Sequence, residues 1–222
     1  AIGMAPASLP RRRLAGGLLL LGAVLAVYLP ALHGAFIWDD AVLLTDNEWV
    51  KSSRGLWEMW FCARTGEGYF PLTWSAFWVQ WRLWGMHPEG YRLVNILLHA
   101  GSALLLWRFL GRLRVPGGWL AGAFFALHPV CVLSVAWVSE LKNTLALFLA
   151  LLCLQPFATF LDDRRWHRLL LCGLLFLLSL LAKPLAIGLP ILLLFGLWWK
   201  DGRATVANTL RLAPLFARSL AI

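Results

Sequence analysis

An acidic pair, Asp39-Asp40, directly follows the first long apolar run of the chain. Carboxylates are costly to place at a boundary between apolar surroundings and water, and a carboxylate there can take a proton from a hydroxyl group beside a lipid-carried substrate. The pair is therefore the catalytic candidate. Acids are also common at such boundaries as solvated residues that mark the end of a helix, and the pattern alone leaves both interpretations open.

Two lysines could hold the phosphate of such a substrate. Lys142 follows Glu140 in one polar segment, and Lys183 ends a later apolar run, so both interrupt otherwise apolar sequence. A cation at this position suits a phosphate, and Arg92 is a third candidate for the same task. An ion pair with Glu140, or extension of the side chain to the membrane surface, explains either lysine taken singly.

The histidines carry weaker signals. His128, before Pro129, could coordinate a ligand, donate to a substrate oxygen, or cap a helix that the proline breaks. Asn95 and His99 lie one helical turn apart and are predicted to hydrogen-bond across helices rather than to bind a ligand. The sequence holds no Gly-rich phosphate loop, no metal-ligand spacing of His and Cys, and no Ser–His–Asp pattern. It therefore predicts no metal-ligating residues and no cofactor, and it leaves open whether a divalent metal is needed.

Long apolar runs must position these residues. Of the 222 residues, 60% are hydrophobic, 14 are tryptophan, and the mean hydropathy is +0.72. The runs lack the period of two that a membrane barrel requires, so the sequence predicts an all-α, polytopic membrane protein with about six spans. The predicted spans are Leu14–Leu32, Tyr91–Trp107, Trp119–Val135, Thr144–Phe160, Leu169–Ala182 and Leu185–Trp199.

The basic residues predict the orientation. Arginine clusters precede the first span and follow the second, fourth and sixth, which makes every second connection cytoplasmic. The net charge of +9 follows from this bias, so it does not indicate a nucleic-acid partner. Most acids then lie in the extra-cytoplasmic segments: Asp39, Asp40, Asp46, Glu48, Glu58, Glu67, Glu89 and Glu140.

Residues 33–90 form the one long connection, the first extra-cytoplasmic loop, and hold eight tryptophans. Aromatic residues recur at helical spacing over Pro71–Trp84, which predicts a helix in the membrane interface, and Ser53–Phe61 predicts a shorter one. The two helices could form a docking ledge behind the acidic pair. Simple anchoring of the loop is the alternative.

Three features concern the maturation and limits of the chain. The first apolar run is long for a signal peptide and lacks a good cleavage site, so it is predicted to remain as a span. The cysteines are predicted to stay unpaired, with a Cys62–Cys131 disulfide as the alternative. The chain begins without Met and stops in a new apolar segment, Leu212–Ile222, which predicts a fragment.

Several short runs, in order and at matching spacing between Phe36 and Trp199, resemble the membrane part of the transmembrane and tetratricopeptide-repeat O-mannosyltransferase-like proteins and their bacterial relatives. The runs are Phe36-Ile37-Trp38-Asp39-Asp40 with Asn47, Pro71-Leu72-Thr73, Trp84-Gly85, the stretch from Gly90 to His99, Ala126-Leu127-His128-Pro129-Val130, Ser134-Val135-Ala136-Trp137-Val138, and Ala182-Lys183-Pro184 with Leu189-Pro190. The resemblance identifies residues 1–222 as the N-terminal part of a GT-C-like transmembrane domain.

The resemblance implies a glycosyltransferase that moves a sugar, with mannose as the expected one, from a polyprenyl-phosphate donor to a hydroxyl acceptor on a protein or glycan. It implies catalysis by Asp39 and Asp40. The types and positions of five further residues predict that they bind substrate: Lys183, Lys142, Arg92, His128 and Glu140. The expected location is a bacterial inner membrane, with the site on the periplasmic face and membrane lipid as a further partner.

The family pattern His-Pro-Val-His-x-Glu-Ser-Val is broken at two positions. Cys131 replaces the second His and Leu133 replaces the Glu. These departures favour the competing hypothesis of a non-catalytic membrane scaffold or lipid-binding relative that has lost the site. The catalytic hypothesis predicts that Asp39 or Asp40 lies within roughly 10 Å, about one Debye length, of Lys183 or Lys142.

Overall fold

The computed structural model describes residues 8–62, 68–202 and 206–220. Within these residues the chain is helical and contains no strand, which confirms the all-α prediction. The helices are α1 (Ser8–Tyr28), α2 (Glu48–Lys51), α3 (Gly55–Phe61), α4 (Pro71–Trp84), α5 (Pro88–Arg112), α6 (Gly118–Leu127), α7 (Val132–Ala136), α8 (Leu141–Asp163), α9 (Trp166–Ala182), α10 (Leu189–Asp201) and α11 (Val206–Leu220). Glu67, one of the acids assigned to the outer segments, lies outside the described residues.

Four helical segments in the described chain are long and apolar enough to cross a membrane: Arg11–His33, Pro88–Arg112, Val138–Asp163 and Pro184–Asp201. A fifth forms if α6 and the following helical segment, Pro129–Ala136, count as one span bent by 49°. The bend follows from Pro129, which cannot donate a backbone hydrogen bond to the preceding turn. Helix α9 corresponds to the fifth predicted span, Leu169–Ala182, and its 17 residues are shorter than a straight crossing needs.

Helices α5 and α8 run parallel, whereas α8 and α9 run antiparallel, and the contacts of the long helices define two ends of the bundle. At one end Arg112, at the end of α5, donates to the Gln155 carbonyl of α8 over 2.9 Å, and Lys200 of α10 bonds Asp162 of α8 over 2.8 Å. We call this the basic end. The opposite end holds Asp40, Glu140 and Lys183, and we call it the acidic end. This separation matches the alternation of basic and acidic segments that the sequence predicted.

Helix α1 is an integral part of the bundle. It packs against α5 and α6, and the Tyr28 ring lies edge-on to the His99 ring with 5.5 Å between centroids. Gly16 lets Trp119 of α6 approach closely enough for its Nε1 to donate to the Gly16 carbonyl over 3.1 Å. These contacts make α1 part of the packed bundle, and its retention after synthesis stays a prediction.

The loop folds against the acidic end around one apolar cluster. Helix α4 has the predicted bounds, begins at a proline, and buries Trp74 and Phe77 almost completely. These rings pack with Leu44 and Val50 from earlier in the loop and with residues of α5 and α8. Trp78 and Trp81 cover the same cluster, so the aromatic face of α4 points to the bundle. The shorter predicted helix is α3, which begins two residues later than the sequence indicated.

The cysteines are unpaired, as predicted. Cys62 is exposed and free, and the alternative Cys62–Cys131 disulfide does not form. Cys153 and Cys172 are buried between α8 and α9, where their Sγ atoms lie 3.0 Å apart as free thiols.

Candidate active site

Asp40 is fully buried and its carboxylate is saturated with hydrogen bonds. Oδ2 accepts from the Ile37 backbone N–H over 2.9 Å, and Oδ1 accepts from the Ser139 backbone N–H over 2.8 Å. The Ser139 hydroxyl also donates to Oδ1. A buried carboxylate needs such donors to offset its loss of hydration. Asp40 therefore joins the loop to the segment just before α8, 99 residues away in sequence.

Asp39 differs from its neighbour, because it is exposed. The preceding residue, Trp38, has a left-handed φ of 48°, which turns the chain between Ile37 and the buried Asp40. The Trp38 ring packs edge-on against the Trp137 ring, with 5.1 Å between centroids, and remains 69% exposed. Asp39 thus stands at the surface beside the Trp38–Trp137 pair. Its carboxylate is free to meet a substrate hydroxyl, whereas that of Asp40 is not.

Arg92, near the start of α5, is buried and holds backbone carbonyls rather than an anion. Its Nε donates to the Ala136 carbonyl over 2.9 Å, and its two terminal nitrogens donate to the Gly34 and Ala35 carbonyls. The side chain therefore clamps the start of the loop to the end of α7. The charge also lies close enough to Asp40 for the two to stabilise each other electrostatically.

Glu140, Lys142 and Lys183 form an electrostatic group beside the Asp40–Ser139 contact. Burial lowers the pKa of Lys183 below its ordinary value, Glu140 opposes that shift, and Lys142 adds to it. Both residues must therefore be near the Lys183 ammonium. Glu140 follows Ser139 directly. One short segment therefore carries both the hydrogen-bond partner of Asp40 and the acid whose charge raises the pKa of Lys183. The Glu140 carboxylate also accepts from Asn143 of the next turn.

Helix α4 packs against the segments that carry Lys183 and Lys142. Thr73 Oγ1 donates to the carbonyl of Ala182 over 2.8 Å, which anchors α4 to the residue before Lys183. A cavity of about 10 Å³, enough for roughly one water, lies among Thr73, Trp74, Phe77 and Lys142. Lys142 therefore lies under α4.

The remaining polar candidates have structural partners. His128 Nδ1 accepts from the Val130 backbone N–H over 3.2 Å and so caps the turn after α6, one of its predicted roles. Asn95 Nδ2 donates to the Trp137 carbonyl over 2.9 Å, and His99 Nε2 lies 2.9 Å from the Ala126 carbonyl. The predicted cross-helix bonds of Asn95 and His99 are confirmed.

The two departures from the family pattern lie on the bent pair at the acidic end. Leu133, in place of the Glu, is 53% exposed on α7. The Cys131 thiol donates to the Phe125 carbonyl over 3.5 Å. Neither change removes a partner of Asp40, Arg92 or Lys183. The framework that holds these three residues is therefore intact.

The structure thus brings Asp40, Arg92, Glu140, Lys142 and Lys183 to one end of the bundle. His128 is held locally by its own turn. Sequence reasoning missed Ser139 and Thr73 as positioning residues. The position of Ser139 beside Glu140 in a polar cluster was a weak signal for its role. No local pattern marks Thr73.

Within the described residues, no group of three or more His, Cys, Asp or Glu side chains is arranged to hold a metal ion.

The apolar helices and the folded acidic loop define a multi-pass helical membrane protein with a polar site at one end. Residues 71–222 match the model of the dolichyl-phosphate-mannose-protein mannosyltransferase family. The chain belongs to this family.

Curated relatives agree with this assignment. The chain is 30% identical over 203 residues to the protein O-mannosyl-transferase Tmtc1 of Drosophila melanogaster, covering 86% of the chain and 23% of that protein. It is 32% identical over 145 residues to TMTC2 of Mus musculus, covering 58% and 17%, and 29% identical over 163 residues to TMTC4 of Homo sapiens, covering 60% and 22%. The chain thus spans less than a quarter of each of these relatives. No solved structure matches it significantly.

Proposed function

We propose that the protein is a membrane glycosyltransferase that moves mannose from a polyprenyl-phosphate donor to a hydroxyl group of a protein acceptor. The family and the names of the relatives support the transfer of mannose to proteins. The observation that carries the proposal is the bond between Asp40 and Ser139, which ties the acidic loop to the segment bearing Glu140 and Lys142. A base and cations for phosphate are thereby held at one end of the bundle.

Asp39 is the catalytic base in this proposal, and Asp40 positions it. A general base must reach the proton that it removes, and only Asp39 of the pair has an exposed carboxylate. The acceptor oxygen attacks the anomeric carbon as its proton passes to Asp39, and the bond from that carbon to the phosphate oxygen breaks. The configuration at the anomeric carbon inverts. Asp40, held by Ile37 and Ser139, fixes the backbone from which Asp39 projects.

Lys183 and Lys142 stabilise the departing polyprenyl phosphate. Negative charge develops on the phosphate as the glycosidic bond breaks, and fixed cations lower the energy of that transition state. Because burial lowers the pKa of Lys183, a bound phosphate would also favour its charged form. The charge of Glu140 favours the ammonium form of Lys183. Arg92 is occupied by backbone carbonyls and supports the loop instead.

The acidic end lies on the extra-cytoplasmic side in this proposal, because arginine-rich ends of helices stay in the cytoplasm. For a bacterial protein this is the periplasmic face of the inner membrane. The donor can then enter from the lipid, and the acceptor protein or glycan from water. The proposed function needs no nucleic acid.

Mannose transfer by the intact protein tests the assignment of Asp39. With a polyprenyl-phospho-mannose donor and a serine- or threonine-containing peptide, Asp39→Asn should lower the rate at least about 100-fold, because an amide cannot accept the proton. Asp46→Asn, which neutralises another exposed acid of the loop, is the matched control and should transfer at the parent rate. Parent-rate transfer by Asp39→Asn would refute the assignment.

The lysines are tested with a second matched pair. Lys183→Ala should weaken use of the donor, seen mainly as a lower kcat/KM, because it removes charge where the phosphate develops it. Lys51→Ala, at a loop lysine paired with Glu48 over 3.3 Å, should leave kcat/KM unchanged. Equal losses in the two variants would argue against a phosphate site at Lys183.

A non-catalytic scaffold is the second candidate, and the changes at Cys131 and Leu133 favour it. The two hypotheses differ in one simple observable. A scaffold would keep its fold and membrane insertion and show no transfer with any donor. Restoring the family residues by Cys131→His with Leu133→Glu would then be expected to create transfer activity in a protein that lacks it.

A further inference from the structure

A groove of about 750 Å³ runs between α1 and α5 at the basic end, far from the candidate active site. Arg13, Arg108 and Arg112 lie around its mouth, and its walls are apolar. The groove is much larger than the cavity beneath α4 and lies within the size range of ligand sites. Nothing in the proposed transfer reaction uses it.

The charged residues line one end of the groove and the apolar residues line the rest of it, along the axes of α1 and α5. On α1 the lining begins at Arg13 and continues through Leu14, Leu18 and Leu21, which recur on one helical face. The eight helical steps from Arg13 to Leu21 span about 12 Å, so the groove extends that far from its charged mouth toward the middle of the bundle. On α5, Leu104 and Trp107 line the deeper part of the facing wall.

Two of the arginines lack an internal counter-ion. Within residues 8–62, 68–202 and 206–220, no ion pair involves Arg13 or Arg108, and both side chains are exposed at the groove. Arg112 is tied to α8 through the Gln155 carbonyl but keeps its full charge. Three other cations at this end are paired with acids, in the contacts Arg164–Asp201, Arg168–Asp163 and Lys200–Asp162.

We propose that this groove binds one anionic phospholipid, with the phosphate between Arg13 and Arg108 and an acyl chain along Leu18, Leu21 and Leu104. A phospholipid has the same order of groups as the groove, with an anion at the membrane surface and hydrocarbon below it. Basic pockets between membrane helices at the cytoplasmic side suit anionic headgroups. Gly17 faces Leu104 and Trp107 across the groove, where its missing side chain leaves room for the chain.

The charge complementarity favours a lipid over a further helix of the polypeptide. An apolar helix would cover the leucines but leave two unpaired arginines at its edge. A soluble phosphate would satisfy the arginines but leave the apolar wall uncovered. A diacyl lipid of the surrounding leaflet satisfies both parts and is already present at high local concentration.

Binding of phosphatidylglycerol to the intact, delipidated protein, measured by native mass spectrometry in detergent, tests the charged part of the site. The double variant Arg13→Gln with Arg108→Gln should bind about thirtyfold more weakly, the effect of two arginine–lipid contacts of ordinary strength. Arg12→Gln with Arg114→Gln removes the same charge at the same end outside the groove. This control should stay within about twofold of the parent.

The apolar part is tested without changing charge. Gly17→Leu places a side chain in the groove, where a Cβ would meet its nearest neighbour, Leu104, at 3.7 Å. The added bulk should weaken phosphatidylglycerol binding about tenfold or more, the loss of more than one buried methylene of the acyl chain. Gly22→Leu, on the same helix with open space around it, is the matched control and should bind like the parent.

Four outcomes would overturn the proposal. These are equal binding of phosphatidylcholine and phosphatidylglycerol, equal losses in the two arginine double variants, and no retained lipid because another segment of the protein fills the groove. The fourth is full competition by soluble glycerol phosphate at the affinity of the lipid, which would show a site for a free phosphate. Mannose transfer is not the readout, so failure here leaves the proposed function untouched.

Discussion

Replacing Asp40 by alanine should destabilise the folded protein strongly, although the residue is one of a pair proposed for catalysis. The change removes an acceptor for two backbone N–H groups, of Ile37 at 2.9 Å and of Ser139 at 2.8 Å, and for the Ser139 hydroxyl. Each buried N–H left unsatisfied costs about 1–3 kcal/mol. The hydroxyl can turn to another acceptor, and Arg92 loses a nearby opposite charge. The free energy of unfolding should therefore fall by about 3–5 kcal/mol.

The assay is reversible unfolding of the detergent-solubilised protein in a denaturing detergent, followed by tryptophan fluorescence. Asp39→Ala is the matched control, because this carboxylate is exposed and its loss should change the free energy of unfolding by no more than about 0.5 kcal/mol. Asp40→Asn keeps one acceptor oxygen and should fall between the two. If Asp39→Ala and Asp40→Ala changed stability equally, the division of the pair into a surface base and a buried positioning residue would be wrong.

Three further predictions concern the same framework. Arg92→Met should lower the free energy of unfolding by about 2–4 kcal/mol in the same assay, because three backbone carbonyls lose their donor. Arg92→Lys should restore only part of that free energy, because an ammonium cannot reproduce the geometry of the guanidinium. Because the pKa of Lys183 is lowered, affinity for the phosphate donor should decline with rising pH sooner than for an ordinary lysine, and Lys183→Arg should move that decline to higher pH. The exposed thiol of Cys62 should react with a membrane-impermeant maleimide added to intact cells, whereas a cysteine introduced by Arg164→Cys in a Cys62→Ala background should not.

The sequence predicted most of the helices because their signals are local. Runs of apolar residues marked the long helices, and Pro71 followed by aromatic residues at helical spacing gave α4 with its observed bounds. The cross-helix bonds of Asn95 and His99 were also predictable, since a polar side chain among apolar helices must find a partner. Helix α9 ends at Ala182 as predicted but begins three residues before the predicted Leu169, because its first turn is polar.

The site was less predictable because its decisive contacts are distant in sequence. Nothing around Asp40 indicates that its partner is Ser139, so the sequence could not tell which acid of the pair is buried. The sequence placed Arg92 on the outer side and so suggested an anion ligand, but its guanidinium donates to backbone carbonyls, which a pattern of side chains cannot indicate. The convergence of the loop with the segments at Glu140 and Lys183 was foreseen in outline, and the contacts that hold it were not.

The central claim is that Asp39 and the phosphate-binding Lys183 lie close together at the acidic end, and cross-linking measures their proximity most directly. In the intact protein with its native cysteines replaced by alanine, Asp39→Cys with Lys183→Cys should be joined by a thiol reagent about 10 Å long, roughly one Debye length. The polyprenyl-phospho-mannose donor should block the reaction. Ala35→Cys with Ala136→Cys, at two positions held by Arg92, is the positive control, and Asp39→Cys with Arg164→Cys, at opposite ends of the bundle, is the negative one. A positive control that cross-links while the Asp39–Lys183 pair does not, with or without donor, would contradict the account.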